Sequence, residues 1–384
     1  MATALTSKLS AIQEEVARFA GDNISHRSEL GGTSEFPWDI WRAMGEAGLL
    51  GLALPPQYGG RDGGYAALVV AGEALVRHGG NLGLALSVAV HHIVAKFLIL
   101  GFGDDRQRQE YLPSMGSGKM IGCLAVSEPK TGAHPKHLKT VAAPQGDLYL
   151  LNGEKTYLTN GPIADLFVVM AVTGDEEGKK LITAFVIPKD TPGTSQTEPL
   201  ALDFLRPSPH GGIKLDNASV PAANILGREG AAYETMIKPF REIEDAVLMG
   251  PIVGGMAAQL EMVMGLIRAQ GIAATEEIKT ALGRLQFLVH QARIIAYEAG
   301  MMLDSPSHTE FLSLLLSGRD LGARFQSELE SLLQESGVIP SPELRTLTKD
   351  LTFAGNIAKN VALKKQIRMG ETLLQNRSGA SRPE

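Results

Sequence analysis

At 384 residues, 44% hydrophobic and 20% charged, the chain can bury a large core divided among two or three domains. A net charge of -6 and a pI near 5.9 exclude a basic nucleic-acid face. The lone cysteine, Cys123, excludes an internal disulfide and fits a reducing, cytoplasmic setting. The first residues lack an apolar core and lead into Glu14-Glu15, so no cleavable leader is expected.

Polar and apolar residues alternate at helical spacing from Leu5 to Ala20. Pro37 marks a second helix start, with Trp38, Ile40, Trp41, Met44 and Leu49 following at helical intervals. Leu54-Pro55-Pro56-Gln57-Tyr58-Gly59-Gly60 breaks any helix. Tyr65–Val76, Gly83–Leu100 and Asp104–Met115 read as three further helices. The apolar run Leu82–Val90 stops at His91-His92, short of the roughly 20 residues a membrane span needs, so it reads as a buried helix. Residues 1–120 are therefore expected to form a helical domain.

Character changes over 121–226. Phe167–Val172 and Leu181–Ile187 read as strands joined by a charged turn from Gly174 to Lys180. Asn152-Gly153, between alternating apolar runs, predicts a hairpin turn. Recurrent prolines favour loops and sheet edges. Parallel crossover helices and a G-x-G-x-x-G after a strand are both missing, which excludes a doubly wound dinucleotide fold. From 227 to 384 the chain is helical, in segments near 231–270, 275–303, 308–336 and 342–376, as expected of a bundle. The fold class is thus α+β, mostly α: a helical domain, a central β-barrel or sandwich, and a C-terminal helical bundle.

The β-layer is expected to bring Ser127, Tyr157 and Thr159 together. Hydroxyls, an aromatic face and backbone amides suit a planar cofactor with polar edges. His134 and His137 flank Pro135 with no third ligand, so no metal is expected. His91-His92 reads as hydrogen-bonded core, with a pocket role as the alternative.

Val126-Ser127-Glu128-Pro129-x-x-Gly132 and N-G-E-K-T-Y-L-T-N-G (152–161) resemble two ordered segments of the acyl-CoA dehydrogenase family. Pro55–Gly60 resembles its P-x-x-Y-G-G. The resemblance implies FAD, with Val126 and Ser127 at the flavin edge and the Ser127 hydroxyl near N5. It places Leu124, Gly132 and Ala133 along the cofactor, Tyr157 on the rings and Thr159 at an edge. Arg268, in a shortened form of the R-x-x-F-G loop, would meet a neighbouring subunit's FAD pyrophosphate.

The implied reaction is α,β-dehydrogenation of an acyl-CoA or acyl-carrier thioester. A carboxylate takes the α-proton and flavin N5 takes the β-hydrogen as hydride. Electrons would leave to an electron-transfer flavoprotein, from a homodimer or homotetramer. The alternatives are a non-catalytic subunit in a hetero-oligomer with a paralogue, and a flavin oxidase or monooxygenase on the same fold. The base is the point of departure. The family's E-G-T position is Met369, with Glu371 two residues on. In branches that carry the base on the first bundle helix, Ile243 aligns with it and Glu244 is its neighbour. Glu244 and Glu371 are the two candidates.

Overall fold

The computed structural model describes residues 5–130, 132, 134–305, 311–357 and 359–378. Helices α1 (Ser7–Asn23), α2 (Trp38–Glu46), α3 (Gly64–Gly79), α4 (Leu82–Ile93) and α5 (Asp105–Gly116) come first. The Thr6 hydroxyl caps α1, which buries Leu9, Ile12, Val16 and Ala20 on one stripe. Asp104 and Gln107 close a capping box on α5. A π-helical stretch, Val94–Leu100, continues α4 past His91-His92. The helix predicted over Gly83–Leu100 thus runs its whole length, its last part as a π-helix. Leu82–Leu100 and Tyr233–Ala269 are each long and apolar enough to cross a membrane, and both are mostly buried against other elements here.

The C-terminal part holds α6 (Lys238–Ala269), α7 (Glu276–Leu303), α8 (Phe311–Ser336), α9 (Pro342–Asn356) and α10 (Lys359–Ser378). A π-helical turn, Tyr233–Ile237, leads into α6. One continuous helix is predicted over 342–376, but α9 ends at Asn356, where Ile357 turns extended (ψ 127°). Two tertiary bonds explain the break: Phe353 stacks on Phe204 at 3.5 Å, and Arg319 donates to the Ile357 carbonyl at 2.9 Å.

Small residues let α6 cross α3 at close range. A Cβ on Gly250 would lie 2.0 Å from the Val69 carbonyl oxygen, and one on Gly254 2.3 Å from that of Glu73. Both obstacles are backbone and cannot rotate away. Gly250→Ala is therefore expected to cost about 1–3 kcal/mol or more in denaturant unfolding; an unchanged midpoint would show that the crossing relaxes freely. Asp304, after α7, accepts from the Tyr65 and Ala66 amides at 2.8 and 2.9 Å, placing a carboxylate at the positive end of α3.

The sheet comprises β1 (Gly122–Ala125), β2 (Val141–Gln145), β3 (Leu148–Thr159), β4 (Leu166–Glu176), β5 (Lys179–Pro188), β6 (Thr194–Gln196), β7 (His210–Pro221) and β8 (Ile225–Leu226). Its order is β6-β7-β3-β2-β4-β5-β8. β1 and β2 share one edge of β4, pairing with it in parallel at Leu166–Val169 and at Val172. The chain thus leaves the sheet at Val126 and rejoins it at Val141.

One hairpin turn falls within the predicted Gly174–Lys180 segment and the other falls elsewhere than expected. They are Gly146-Asp147, between β2 and β3, and Glu177-Gly178, between β4 and β5. Asn152-Gly153 is no turn: β3 runs straight through it with a register shift against β7. Its glycine serves close approach, since a Cβ there would meet Thr140 Oγ1 at 2.5 Å. One face of the sheet packs Val168, Met170 and Val186 against α4 and α5, while Phe167, Phe185 and Val169 fill the other.

Candidate active site

The loop between β1 and β2 is tied at both ends by one buried carboxylate. Glu128 accepts from the Lys139 and Thr140 amides at 2.6 and 2.9 Å, and from Lys155 Nζ at 2.9 Å. Lys155 Nζ also donates to the Val126 carbonyl at 3.1 Å. Both side chains are nearly inaccessible, 0% and 4% exposed for Lys155 and Glu128. Burial alone would raise the Glu128 pKa, but Lys155 and the Thr140 bonds outweigh it and hold the carboxyl below its ordinary value.

β3 answers this loop with a second bulge, between Lys155 and Leu158. The Thr156 amide donates to the Ser127 carbonyl at 2.9 Å, and Tyr157 takes φ +57°. That backbone turns the Tyr157 ring out of the sheet, where it is 65% exposed. The Ser127 hydroxyl has no hydrogen-bond partner among the described residues.

Leu124, Val126, Ser127, Tyr157 and Thr159 form one wall of a cavity of about 1730 Å³. Leu82, Leu86 and Val90 of α4 form its floor, and α6, α8, α9 and α10 close the other side. The first turns of α6 bring a charged cluster to it. Arg241 bonds Glu244 at 3.0 Å and Asp245 at 3.2 Å, and Arg319 of α8 bonds Asp245 at 2.8 Å. Glu242 is paired with Lys365 at 3.0 Å. The Glu244 side chain is 19% exposed. Burial raises its pKa; Arg241 opposes that and Asp245 adds to it.

Ile243, which the alignment on Gly250-Pro251 puts at the base position, is buried in the helical core. Glu244 faces the cavity instead. Glu371 does not: it is exposed on α10, while Met369 and Thr372 line the cavity. Residues 365, 368, 369 and 372 share one face of a 3.6-residue helix, and 371 falls off it. Gly132 is exposed at φ +61° and does not line the cavity. Ala133 lies outside the described residues. Arg268 is exposed at the far end of α6, 24 residues past Glu244 and so about 36 Å along the axis. It is no part of this chain's cavity.

His91 is a core residue, with Nε2 3.0 Å from the Met115 carbonyl oxygen and Nδ1 accepting from the Gly122 amide at 3.3 Å. Burial lowers its pKa to about 4. His134 reaches the cavity edge, its ring 4.9 Å from that of His137. Among the described residues no group of three His, Cys, Asp or Glu is placed to hold a metal.

Sequence reasoning missed His210, Arg319 and the loop Leu202–Leu205, which also line the cavity. Asp350, 3% exposed, holds that loop by accepting from the Leu205 amide at 2.7 Å. Burial raises the Asp350 pKa to about 6 from an ordinary value near 3.8. Between these values the folded chain binds more protons than the unfolded one. This group's contribution to stability is therefore complete below the lower value and falls as pH rises to about 6. Asp350→Asn, which keeps an acceptor, should gain stability relative to the parent between pH 4 and 7, by at most about 3 kcal/mol. A gap between the two unfolding curves that does not change with pH would contradict this.

Helices before and after the sheet enclose a cavity whose aromatic- and hydroxyl-bearing wall can hold a planar cofactor. The wall fits a flavin: Tyr157 offers a ring face, and the Ser127 hydroxyl is unpaired among the described residues. Residues 6–119 match the acyl-CoA dehydrogenase N-terminal domain, and 123–218 the acyl-CoA dehydrogenase middle domain. An acyl-CoA dehydrogenase of Bacillus subtilis (strain 168) is 31% identical over 301 residues, 77% of this chain and 79% of that one. A mitochondrial isovaleryl-CoA dehydrogenase of Arabidopsis thaliana is 35% identical over 279 residues, 72% of this chain and 66% of that one. The solved structure of the prolyl acyl carrier protein oxidase AnaB superposes with a TM-score of 0.84 at 27% identity, covering 94% of this chain and all of that one. The chain belongs to the acyl-CoA dehydrogenase family, an oxidoreductase family whose cofactor is FAD.

Proposed function

We propose that this protein is an FAD-dependent α,β-dehydrogenase of acyl thioesters with Glu244 as its base. The observation that carries the reading is that Glu244 opens onto the same cavity as the Ser127, Tyr157 and Thr159 wall. FAD, when bound, supplies the hydride acceptor. Val126, Ser127, Tyr157 and Thr159 would hold its ring system.

Among the described residues four carboxylates line the cavity, and three are ill suited to take a proton. Asp245 is held by two arginines, Glu242 by Lys365, and Asp320 is exposed. Among the described residues Glu244 is bonded by Arg241 alone, through one oxygen, which leaves the second to meet the α-carbon. Burial strengthens it as a base, and Arg241 keeps it ionised. The largely apolar walls from α4 and α6 take the acyl chain and exclude water. The relatives' names point to CoA and carrier-protein thioesters alike, so either carrier fits the reading.

Electron-transfer flavoprotein is the acceptor proposed here. Exposed Phe287 and Ile294 on α7 and Ile367 on α10, none of which lines the cavity, support a homodimer or homotetramer. Arg268 would serve a cofactor only across such a subunit contact. A second reading, an oxidase, is favoured by the likeness to AnaB.

The test is anaerobic. Protein loaded with FAD is mixed with isovaleryl-CoA, butyryl-CoA and a prolyl carrier-protein thioester, and absorbance is followed in the flavin band. Bleaching by one of them is expected. Protein that takes up FAD and is bleached by none contradicts the reading, and peroxide formed in air without an acceptor protein would move it to the oxidase.

A further inference from the structure

Two carboxylates near the start of α6 share one guanidinium, and a second guanidinium attends only one of them. Arg241 Nη1 donates to Glu244 Oε2 at 3.0 Å, and its Nη2 lies 3.2 Å from Asp245 Oδ1. Arg319, on α8, donates from Nη2 to that same Asp245 oxygen at 2.8 Å. Its Nη1 donates to the Ile357 carbonyl, at the break after α9, at 2.9 Å. Both terminal nitrogens of Arg319 are thus committed, and its charge is directed at Asp245 rather than at Glu244. The result is an alternating row, Arg319–Asp245–Arg241–Glu244, with two charges of each sign. All four line the cavity, and each side chain is 30% exposed or less. Charges at that depth act on one another more strongly than in bulk water.

Of the other charged groups on the cavity, Glu242 pairs with Lys365 at 3.0 Å, Lys238 with Glu234 at 3.3 Å and Asp320 with Arg324 at 3.9 Å. Lys359 and Arg368 of α10 and the imidazoles of His134 and His210 complete the set. His210 is engaged elsewhere, its Nε2 3.1 Å from Thr159 Oγ1. Burial and Asp245 raise the Glu244 pKa, while Arg241 and Arg319 oppose them. Without Arg319, two carboxylates would depend on Arg241 alone. Asp245 would draw that guanidinium toward itself and set its own negative charge against Glu244.

We infer that Arg319 is a positioning residue: by neutralising Asp245 it leaves Arg241 to Glu244, so that the base stays ionised with one oxygen open to the cavity. This rests on the reading of Glu244 as the base.

The experiment follows anaerobic bleaching of the FAD-loaded protein against pH. The probe is whichever of isovaleryl-CoA, butyryl-CoA and the prolyl carrier-protein thioester bleaches the parent. Each rate is divided by that variant's own high-pH plateau, so losses unrelated to ionisation drop out. Arg319→Gln should move the inflection up by about one pH unit, about a tenfold loss at a fixed pH below it. Asp245→Asn should move the inflection down. The double variant lacks one charge of each sign and should return close to the parent. An inflection unmoved in Arg319→Gln, or a double variant no nearer the parent than Arg319→Gln, overturns the inference and leaves Glu244 as the base. If Arg319→Gln does not fold, Asp245→Asn decides: an unmoved inflection there shows that the charge Arg319 holds does not reach Glu244, and overturns the inference. A Glu244→Gln protein that bleaches as fast as the parent, or a parent bleached by none of the three, defeats the base reading and this inference with it.

Discussion

Glu244→Gln is expected to leave FAD bound and to slow thioester-driven bleaching of the flavin by about a hundred- to ten-thousand-fold, the usual worth of a positioned general base. The substitution is nearly isosteric, and the amide oxygen can still accept from Arg241, now 3.0 Å from the carboxylate. What disappears is the ability to hold the α-proton. Glu371→Gln, on the exposed face of α10, should change the rate little. Because burial raises the Glu244 pKa, and a base acts only when ionised, the parent's bleaching rate should fall as pH drops through that raised value and level off above it. An unchanged rate in Glu244→Gln would contradict its role as base and show that another group takes the α-proton.

Lys155→Met should destabilise the protein by about 3–5 kcal/mol in denaturant unfolding and weaken its hold on FAD. The methionine fits the space, but Glu128 is then a buried carboxylate without its cation. The loop that presents Val126 and Ser127 loses the bond from Lys155 to the Val126 carbonyl as well. Adding Glu128→Gln removes the stranded charge, so the double variant should recover part of the loss. Since pairing holds the Glu128 pKa below its unfolded value, this part of the stability is present above the ordinary carboxylate range. It is lost as pH falls from there through the folded value. A Lys155→Met protein as stable as the parent would show that the clamp is incidental.

The residues that fix the cavity's sheet edge were legible because they sit in two short motifs. Ser127 and Tyr157 are brought together by one backbone bond between those motifs. Asn152-Gly153 misled for a physical reason. An Asn-Gly pair has the torsional freedom for a turn, but here the freedom is used to let Thr140 come close to a continuing strand. The end of α9 was illegible because Phe204 and Arg319, both remote in sequence, hold it.

His210 was hidden for a related reason. It lies in a proline-rich stretch 51 residues from Thr159, and nothing local announces the pairing. The choice between Glu244 and Glu371 needed helix phase, which sequence spacing gives only when a helix's start and its partner face are known. Glu371 failed by roughly one residue of rotation from the face that carries Met369 and Thr372.

The most direct measurement is a crystal structure of the protein grown with FAD. The isoalloxazine ring should lie against the Tyr157 ring, with Ser127 and Thr159 at its edge and the Glu244 carboxylate across the remaining space. Density for the ring elsewhere on the chain, or a protein that crystallises from excess FAD with that hollow filled by its own side chains, would contradict the account.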